Sequence, residues 1–301
     1  MTFEELIELH QRHLASRRLC ASTLHNYRQI QTIFQHFCRE HWQLTDPREL
    51  RSRHLAAYFA WIQEQGWSRL VKYGRQRALR TWTAWATFHG HLLLDPCKDF
   101  TMKHPPLLPR GAFSEAQVQK LLSTPGGSLP EQRDQALMEF LYGTGARVGE
   151  ALMVDVDDLV LGSQQLRIRH GKGGTQRLLP LGPRLSEVMG KYLEEIRPQF
   201  PGHDHAPLWL TTQGKRCTNS SVNARLRLYC RKLPFRMSAY DFRHAFATHL
   251  LARGAPLVAV QRLLGHEHLQ MTTRYTHLVP VDLKRMLDAH HPRARRRKKN
   301  R

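Results

Sequence analysis

The chain has 301 residues, long enough for two domains, and an apolar content of 41% sufficient for ordinary cores. Its 46 Lys and Arg against 25 Asp and Glu give a net charge of +21, which points to a polyanion and puts nucleic acid ahead of a membrane or an acidic protein. Five scattered cysteines form no CxxC pair, which argues against a disulfide framework or a thiolate zinc site, and no apolar run resembles a signal peptide or a membrane span, so a soluble intracellular protein is expected.

Residues 1–103 read as a helical domain. Phe3, Leu6, Ile7, Leu9 and Leu14 start one helix. Ser22 is expected to cap a second, in which Leu24, Tyr27, Ile30, Ile33, Phe34 and Phe37 recur at three and four. Asp46-Pro47 opens a short turn of helix that leads into His54–Gln65. Residues 65–94 contain no acid and carry Arg69, Lys72, Arg75, Arg77 and Arg80, interleaved with Trp67, Trp82 and Trp85. One reading makes the tryptophans core and the arginines merely solvated. The absence of any counter-charge favours the other, a helix laid along DNA phosphates that positions the protein without specifying sequence. Residues 104–112 hold three prolines and form the linker.

A second domain is expected over 113–290, with Ser114 capping its first helix. A long helical region over 131–153 breaks at Gly143-Thr144-Gly145, and Arg147 follows the break with Glu150 three residues on. An ordinary surface ion pair is one reading of Arg147 and Glu150. The apolar flanks Leu137, Phe140, Leu141, Ala151 and Leu152 favour a partly buried site. The clear β signal is Leu166–Arg169 returning through Gln176–Leu181, which puts Lys172 at the tip of a hairpin. A lysine beside other cations has a lowered pKa and suits a mobile general acid; a plain polar turn is the alternative. The GKGGT stretch lacks the first glycine of a phosphate-binding loop. Residues 184–197 and 218–231 read as amphipathic helices, the second made basic by Arg225, Arg227, Arg231 and Lys232.

The stretch 236–278 predicts three successive helices. Ser238 and Asp241 form a capping-box-like pair, so residues 240 and 243 fall in a first turn that favours an anion. Gly254 closes that helix and Pro256 opens the next, with Leu257, Val260, Leu263 and Leu264 on one face. Gly265 ends it just before His266, and a third segment presents Tyr275. A tyrosine hydroxyl can form a covalent phospho-enzyme if the phosphate is neutralised around it. Two arginines can do this by bidentate hydrogen bonding, and no metal or other cofactor is then required; Arg243 and Arg147 are the candidates. The sequence from His266 lacks the second histidine of HExxH, since position 270 is Gln. Most of the 19 histidines read as surface or cap residues, with His244 read as structural. A short helix near 281–290 precedes a basic tail, 291–301, with seven Lys and Arg, expected to be disordered when free.

With Arg147, Lys172, Arg243, His266 and Tyr275 in this order, the chain resembles the tyrosine recombinases of the phage-integrase/Xer family. GTGARVGEAL resembles the first arginine box, RIRHGKGGTQRLLPL the lysine hairpin, FRHAFATHLLARG the second arginine box, and LLGHEHLQMTTRYTHL the histidine–tyrosine box. The resemblance implies a mainly α protein with a small β-hairpin or sheet: a helical core-binding (SAM-like) domain, then a catalytic domain. It implies that Arg147 and Arg243 clamp the scissile phosphate, Lys172 is the general acid, His266 hydrogen-bonds the phosphate, and Tyr275 attacks to give a 3′-phosphotyrosyl link without ATP or metal. Its partners would be double-stranded DNA and three further copies in a tetramer on two duplexes, with a possible accessory recombinase or DNA-bending protein, and its place the nucleoid in the cytoplasm. The segment after Tyr275 would pack on a neighbouring subunit. One position departs: where the family usually has histidine, three before Arg243, this chain has Tyr240, which puts the general-base assignment in doubt. The rival readings are a type IB topoisomerase and a DNA-binding protein that kept the fold without the activity.

Overall fold

Capping chemistry sets most of the helix starts in this chain. The computed structural model describes residues 1–17, 19, 21–105, 113–169, 176–265 and 280–293. By its contacts the chain divides into Met1–Pro109 and Arg110–Arg301. The first unit holds α1 (Phe3–Ser16), α2 (Ala21–Trp42), a 3-10 turn at Pro47–Glu49, α3 (Ser52–Glu64) and α4 (Arg69–Phe88). Thr2 caps α1 through a reciprocal box with Glu5, and Ser68 caps α4 through the backbone N–H of Val71. Helix α2 begins at Ala21, so Ser22 lies in its first turn instead of capping it. The core is aromatic: Phe34 meets Phe3, Tyr58 and Trp82 edge-on, the Tyr58 ring centroid at 4.9 Å. Leu6, Leu55, Ile62 and Leu79 close it with no exposed surface.

The second unit is built round two helices that are buried on most of their sides, charged residues included. These are α6 (Leu129–Thr144) and α10 (Ala239–Ala252). Around them lie α5 (Glu115–Leu122), α7 (Val148–Leu152), α8 (Pro183–Lys191), α9 (Asn219–Cys230), α11 (Leu257–Leu264) and α12 (Pro280–His290). Capping boxes open α5 at Ser114 with Gln117 and α10 at Ser238 with Asp241, as the sequence predicts. A small antiparallel sheet runs β1 (Leu159–Val160), β2 (Gln165–Ile168), β3 (Arg177–Pro180), with Leu166 opposite Leu179 and Ile168 opposite Arg177. β1 is too short to give an alternating pattern, and the sequence does not betray it. The helix expected over 184–197 is α8 followed by a π turn at Tyr192–Ile196 and a 3-10 turn at Arg197–Gln199. Pro198 explains the ending, because it supplies no N–H to continue the helix.

Gly145 is the pivot of the unit. It ends α6 in the left-handed conformation (φ +61°), and a Cβ there would lie 2.4 Å from Cδ1 of Phe246. Only glycine lets the turn between α6 and α7 close against α10.

Most of the described histidines are exposed or half-buried, as expected, but His10, His54, His249 and His291 are buried, and His244, read as structural, is exposed. The buried ones have partners. His249 bridges the Tyr142 hydroxyl (2.8 Å) and the Phe113 carbonyl (2.7 Å), and His10 meets the Gln31 side chain at 2.7 Å. Leu257, expected on the apolar face of α11, is 57% exposed. Nor does the tail begin at residue 291. His291 is buried against Tyr142, and Arg293 pairs with Glu139 and donates to Gln119 Oε1 at 2.6 Å, so these residues belong to the folded unit. Helix α12 packs on its own unit, with Leu287 in the core.

Among the described residues no helix is long and apolar enough to cross a membrane, no group of His, Cys, Asp or Glu could hold a metal ion, and Cys38, Cys97, Cys217 and Cys230 are free thiols.

Burial lowers the pKa of His10 and of His291 from the ordinary 6.5 to about 4. A histidine depressed in the folded state is neutral there while the unfolded chain takes up a proton, so its contribution is complete above pH 6.5 and is lost as pH falls towards 4. We expect each to cost about 2 kcal/mol by pH 5, at roughly 1.4 kcal/mol per pH unit. Denaturant midpoints measured from pH 7 to pH 5 check this; a flat profile would contradict it.

Candidate active site

The site begins where α6 ends. Thr144 donates from Oγ1 to the Phe140 carbonyl and accepts from Ala146 N–H, which tightens the turn. After Gly145 the chain resumes helix at α7, with Arg147 at its N-cap and Glu150 in its first turn. Glu150 is buried, its side chain 4% exposed, and both its oxygens are used. Oε1 accepts from Arg147 Nη1 (2.7 Å) and Arg177 Nη1 (3.2 Å); Oε2 accepts from Arg147 N–H (3.1 Å) and Arg177 Nη2 (2.7 Å). Burial alone would raise this carboxyl, but hydrogen bonds and charge from Arg177, and then Arg147, hold it below its ordinary range. The pairing of Arg147 with Glu150 therefore exists, and it is not a surface pair.

Arg243 enters from α10, almost fully buried. Its Nη1 donates to the Gly145 carbonyl (2.9 Å) and its Nη2 to the Leu264 carbonyl at the end of α11 (2.8 Å). The carbonyl end of a helix is a favourable place for a cation. Burial lowers the Arg243 pKa to about 10, and the positive charge of Arg147 adds to the effect, with Arg177 acting the same way and Glu150 opposing. It stays protonated near neutrality. A guanidinium has five N–H donors, and among the described residues two of those on Arg243 are engaged. Arg147 spends one on Glu150 and keeps its side chain 34% exposed. Two arginines 96 positions apart are thus brought together with donors to spare, an arrangement suited to an anion held by both.

Tyr240 lies three positions before Arg243 on the same helix, 72% exposed, close enough for its phenol to act on the Arg243 charge. Lys172, His266 and Tyr275 lie outside the described residues. Their flanks converge, however. Ile168 and Arg177 pair at the base of the hairpin, and Gly265 (φ +64°) sits so close that a Cβ there would be 3.0 Å from the Arg177 guanidinium carbon.

The expected DNA-contacting residues divide by helix face. Arg69, Arg77 and Arg80 are exposed on α4, Arg80 also donating to the Phe100 carbonyl at 3.3 Å. Arg75 does not join them: at i−4 from Leu79 and i−7 from Trp82 it lies on the apolar face, its guanidinium 4.0 Å over the Trp67 ring. Lys72 is half-buried with Nζ on the Gln63 carbonyl. Arg225 is likewise spent internally. It donates from Nε to the buried Asp134 (2.6 Å) and from Nη2 to the Tyr229 hydroxyl (2.6 Å), while Arg133 holds the other oxygen of Asp134. A buried carboxylate needs such partners, and a basic stretch in sequence does not reveal that the charge is already committed.

Sequence reasoning passed over Arg177 and undervalued Glu150. The available signal was a charged residue opening an otherwise apolar return strand, and an acid in an apolar setting that a single arginine would not offset.

Known proteins resemble this chain along most of its length. The phage integrase family model matches residues 112–280. Tyrosine recombinase XerD of Listeria monocytogenes serovar 1/2a is 33% identical over 287 residues, covering 93% of this chain and 96% of that protein. The XerD of Vibrio cholerae serotype O1 is 34% identical over 257 residues, covering 80% and 81%. In fold the chain matches the Tn1549 transposon integrase in complex with a circular intermediate DNA, with a TM-score of 0.71, 18% identity and coverage of 96% and 99%. It also matches XerH bound to difH substrate, with a TM-score of 0.64, 20% identity and coverage of 89% and 79%. This is the architecture of a helical core-binding domain followed by a mainly helical catalytic domain with a small sheet. The chain belongs to the phage integrase family and is a tyrosine recombinase, a site-specific DNA strand-exchange enzyme.

Proposed function

We propose that the recombinase cleaves and rejoins DNA through a covalent 3′-phosphotyrosyl intermediate formed by Tyr275. Arg147 and Arg243 neutralise the non-bridging oxygens of the scissile phosphate, whose charge grows as the phosphorus becomes five-coordinate. Donors already aimed at developing charge lower the barrier without reorganising during the reaction. Lys172 protonates the departing 5′-oxygen, and His266 hydrogen-bonds the phosphate. The phosphotyrosyl bond stores the energy of the broken link, so a second 5′-hydroxyl reverses the step and joins a new strand. The observation that carries this reading is the convergence of Arg147 and Arg243 round Gly145 and Glu150, with N–H donors uncommitted among the described residues.

Tyr240 replaces the usual histidine. Its phenol can donate a hydrogen bond to the phosphate but accepts a proton poorly near neutral pH, so in this reading proton removal from Tyr275 falls to His266 or to water. The first domain, residues 1–103, grips double-stranded DNA with Arg69, Arg77 and Arg80 of α4, and residues 104–112 link it to the catalytic domain. Strand exchange between two sites requires four copies, and an accessory recombinase or DNA-bending protein would assist synapsis.

Tyr275→Phe is expected to abolish covalent capture of a nicked suicide substrate while leaving DNA binding nearly intact; adducts that persist in this variant would refute the nucleophile. Arg243→Ala is expected to slow single-turnover cleavage about 10²–10³-fold, the usual cost of removing one preorganised donor. The triple variant Arg69→Ala/Arg77→Ala/Arg80→Ala should reduce the salt dependence of binding, log K against log salt, by up to ~3 in slope, because each phosphate contact contributes about 0.9. An unchanged slope in a filter-binding titration would remove α4 from the DNA interface.

A further inference from the structure

We propose that Arg177, on the return strand of the lysine hairpin, is a positioning residue that keeps Arg147 free to hold the phosphate. The inference rests on the reading of Arg147 as a phosphate clamp and concerns how that clamp stays open.

The buried carboxylate of Glu150 needs a full complement of donors. Arg177 supplies two of its four hydrogen bonds, one to each oxygen, and Arg147 supplies the others through one side-chain nitrogen and its backbone N–H. Take Arg177 away and a desolvated negative charge is left with Arg147 as its neighbour. The planar guanidinium of Arg147 then turns to meet both oxygens in a bidentate fork, the geometry such pairs prefer, and its spare donors leave the phosphate. Arg177 prevents this by satisfying Glu150 first.

The same side chain touches a third element. Its Cδ, Nε and Cζ lie within 3.1 Å of where a Cβ on Gly265 would stand, and Gly265 has the positive φ that glycine favours. One side chain thus links the first turn of α7, the base of the lysine hairpin and the glycine that caps α11. Its own side chain is 15% exposed, buried enough for these contacts to be specific.

The test is single-turnover formation of the covalent complex on a nicked suicide substrate, with DNA affinity and thermal stability measured alongside. Arg177→Met is expected to slow covalent capture about 30-fold or more with affinity changed less than about threefold, the pattern of an interaction lost in the transition state. Adding Glu150→Gln removes the charge that captures Arg147, so the double variant should recover about tenfold over Arg177→Met alone. A merely structural role predicts no such recovery. Arg177→Lys keeps the charge but offers no planar fork, and should fall between wild type and Arg177→Met; it carries the test if the methionine variant does not fold. Wild-type cleavage by Arg177→Met, or by Arg177→Lys where that variant stands in, would overturn the inference, as would a loss unrelieved by Glu150→Gln. Arg147→Ala serves as the separate control: if it cleaves normally, the phosphate-clamp reading fails; if it is inactive while Arg177→Met is normal, this inference alone fails.

Discussion

Three guanidinium groups, those of Arg147, Arg177 and Arg243, lie near enough to influence one another, and the carboxylate placed among them is that of Glu150. Like charges brought together out of water repel strongly, and the repulsion grows as the local dielectric falls. Glu150 offsets part of it, and the carbonyls of Gly145 and Leu264 offset more at Arg243. What remains is a net positive site that a phosphate diester would neutralise. The cluster is thus under electrostatic tension, which in the proposed reading a bound phosphate relieves, so that binding energy favours the reacting centre.

The fold serves this cluster by bringing distant segments to one place. Helices α6 and α10 are buried on most sides and hold their neighbours, while Gly145 lets the α6–α7 turn press against Phe246. Substituting any side chain at Gly145 would open the turn and carry Arg147 away from Arg243. The arginine cluster therefore depends on a residue with no side chain as much as on the charged ones.

Much of this could be read from the sequence, for identifiable reasons. Capping boxes are local, so Ser114 and Ser238 announce their helices, and the hairpin shows in the alternation on either side of Gly171–Gly174. Arg147 and Arg243 could be chosen because each sits at a helix start among apolar residues. What failed depends on tertiary context. Arg225 and Arg75 look like surface cations, yet one balances the buried Asp134 and the other lies over Trp67. His10, His249 and His291 look like surface residues because composition does not show that Gln31, Tyr142 and Phe113 are waiting to satisfy them. Strand β1 has two residues and no pattern to read. Local chemistry is legible; which charge is already spent is not.

The bond from Arg243 to the Leu264 carbonyl has a mechanical meaning. A contact of 2.8 Å is sound, and one stretched by about an ångström is no longer a hydrogen bond. The arginine can keep its aim only while the end of α11 is seated. Helix α11 leads directly into the stretch that carries His266 and Tyr275, so a displacement of that stretch pulling on α11 would slacken the arginine in the same movement. In the reading proposed above, the aim of Arg243 is thus tied through the backbone to the seating of the segment that carries Tyr275.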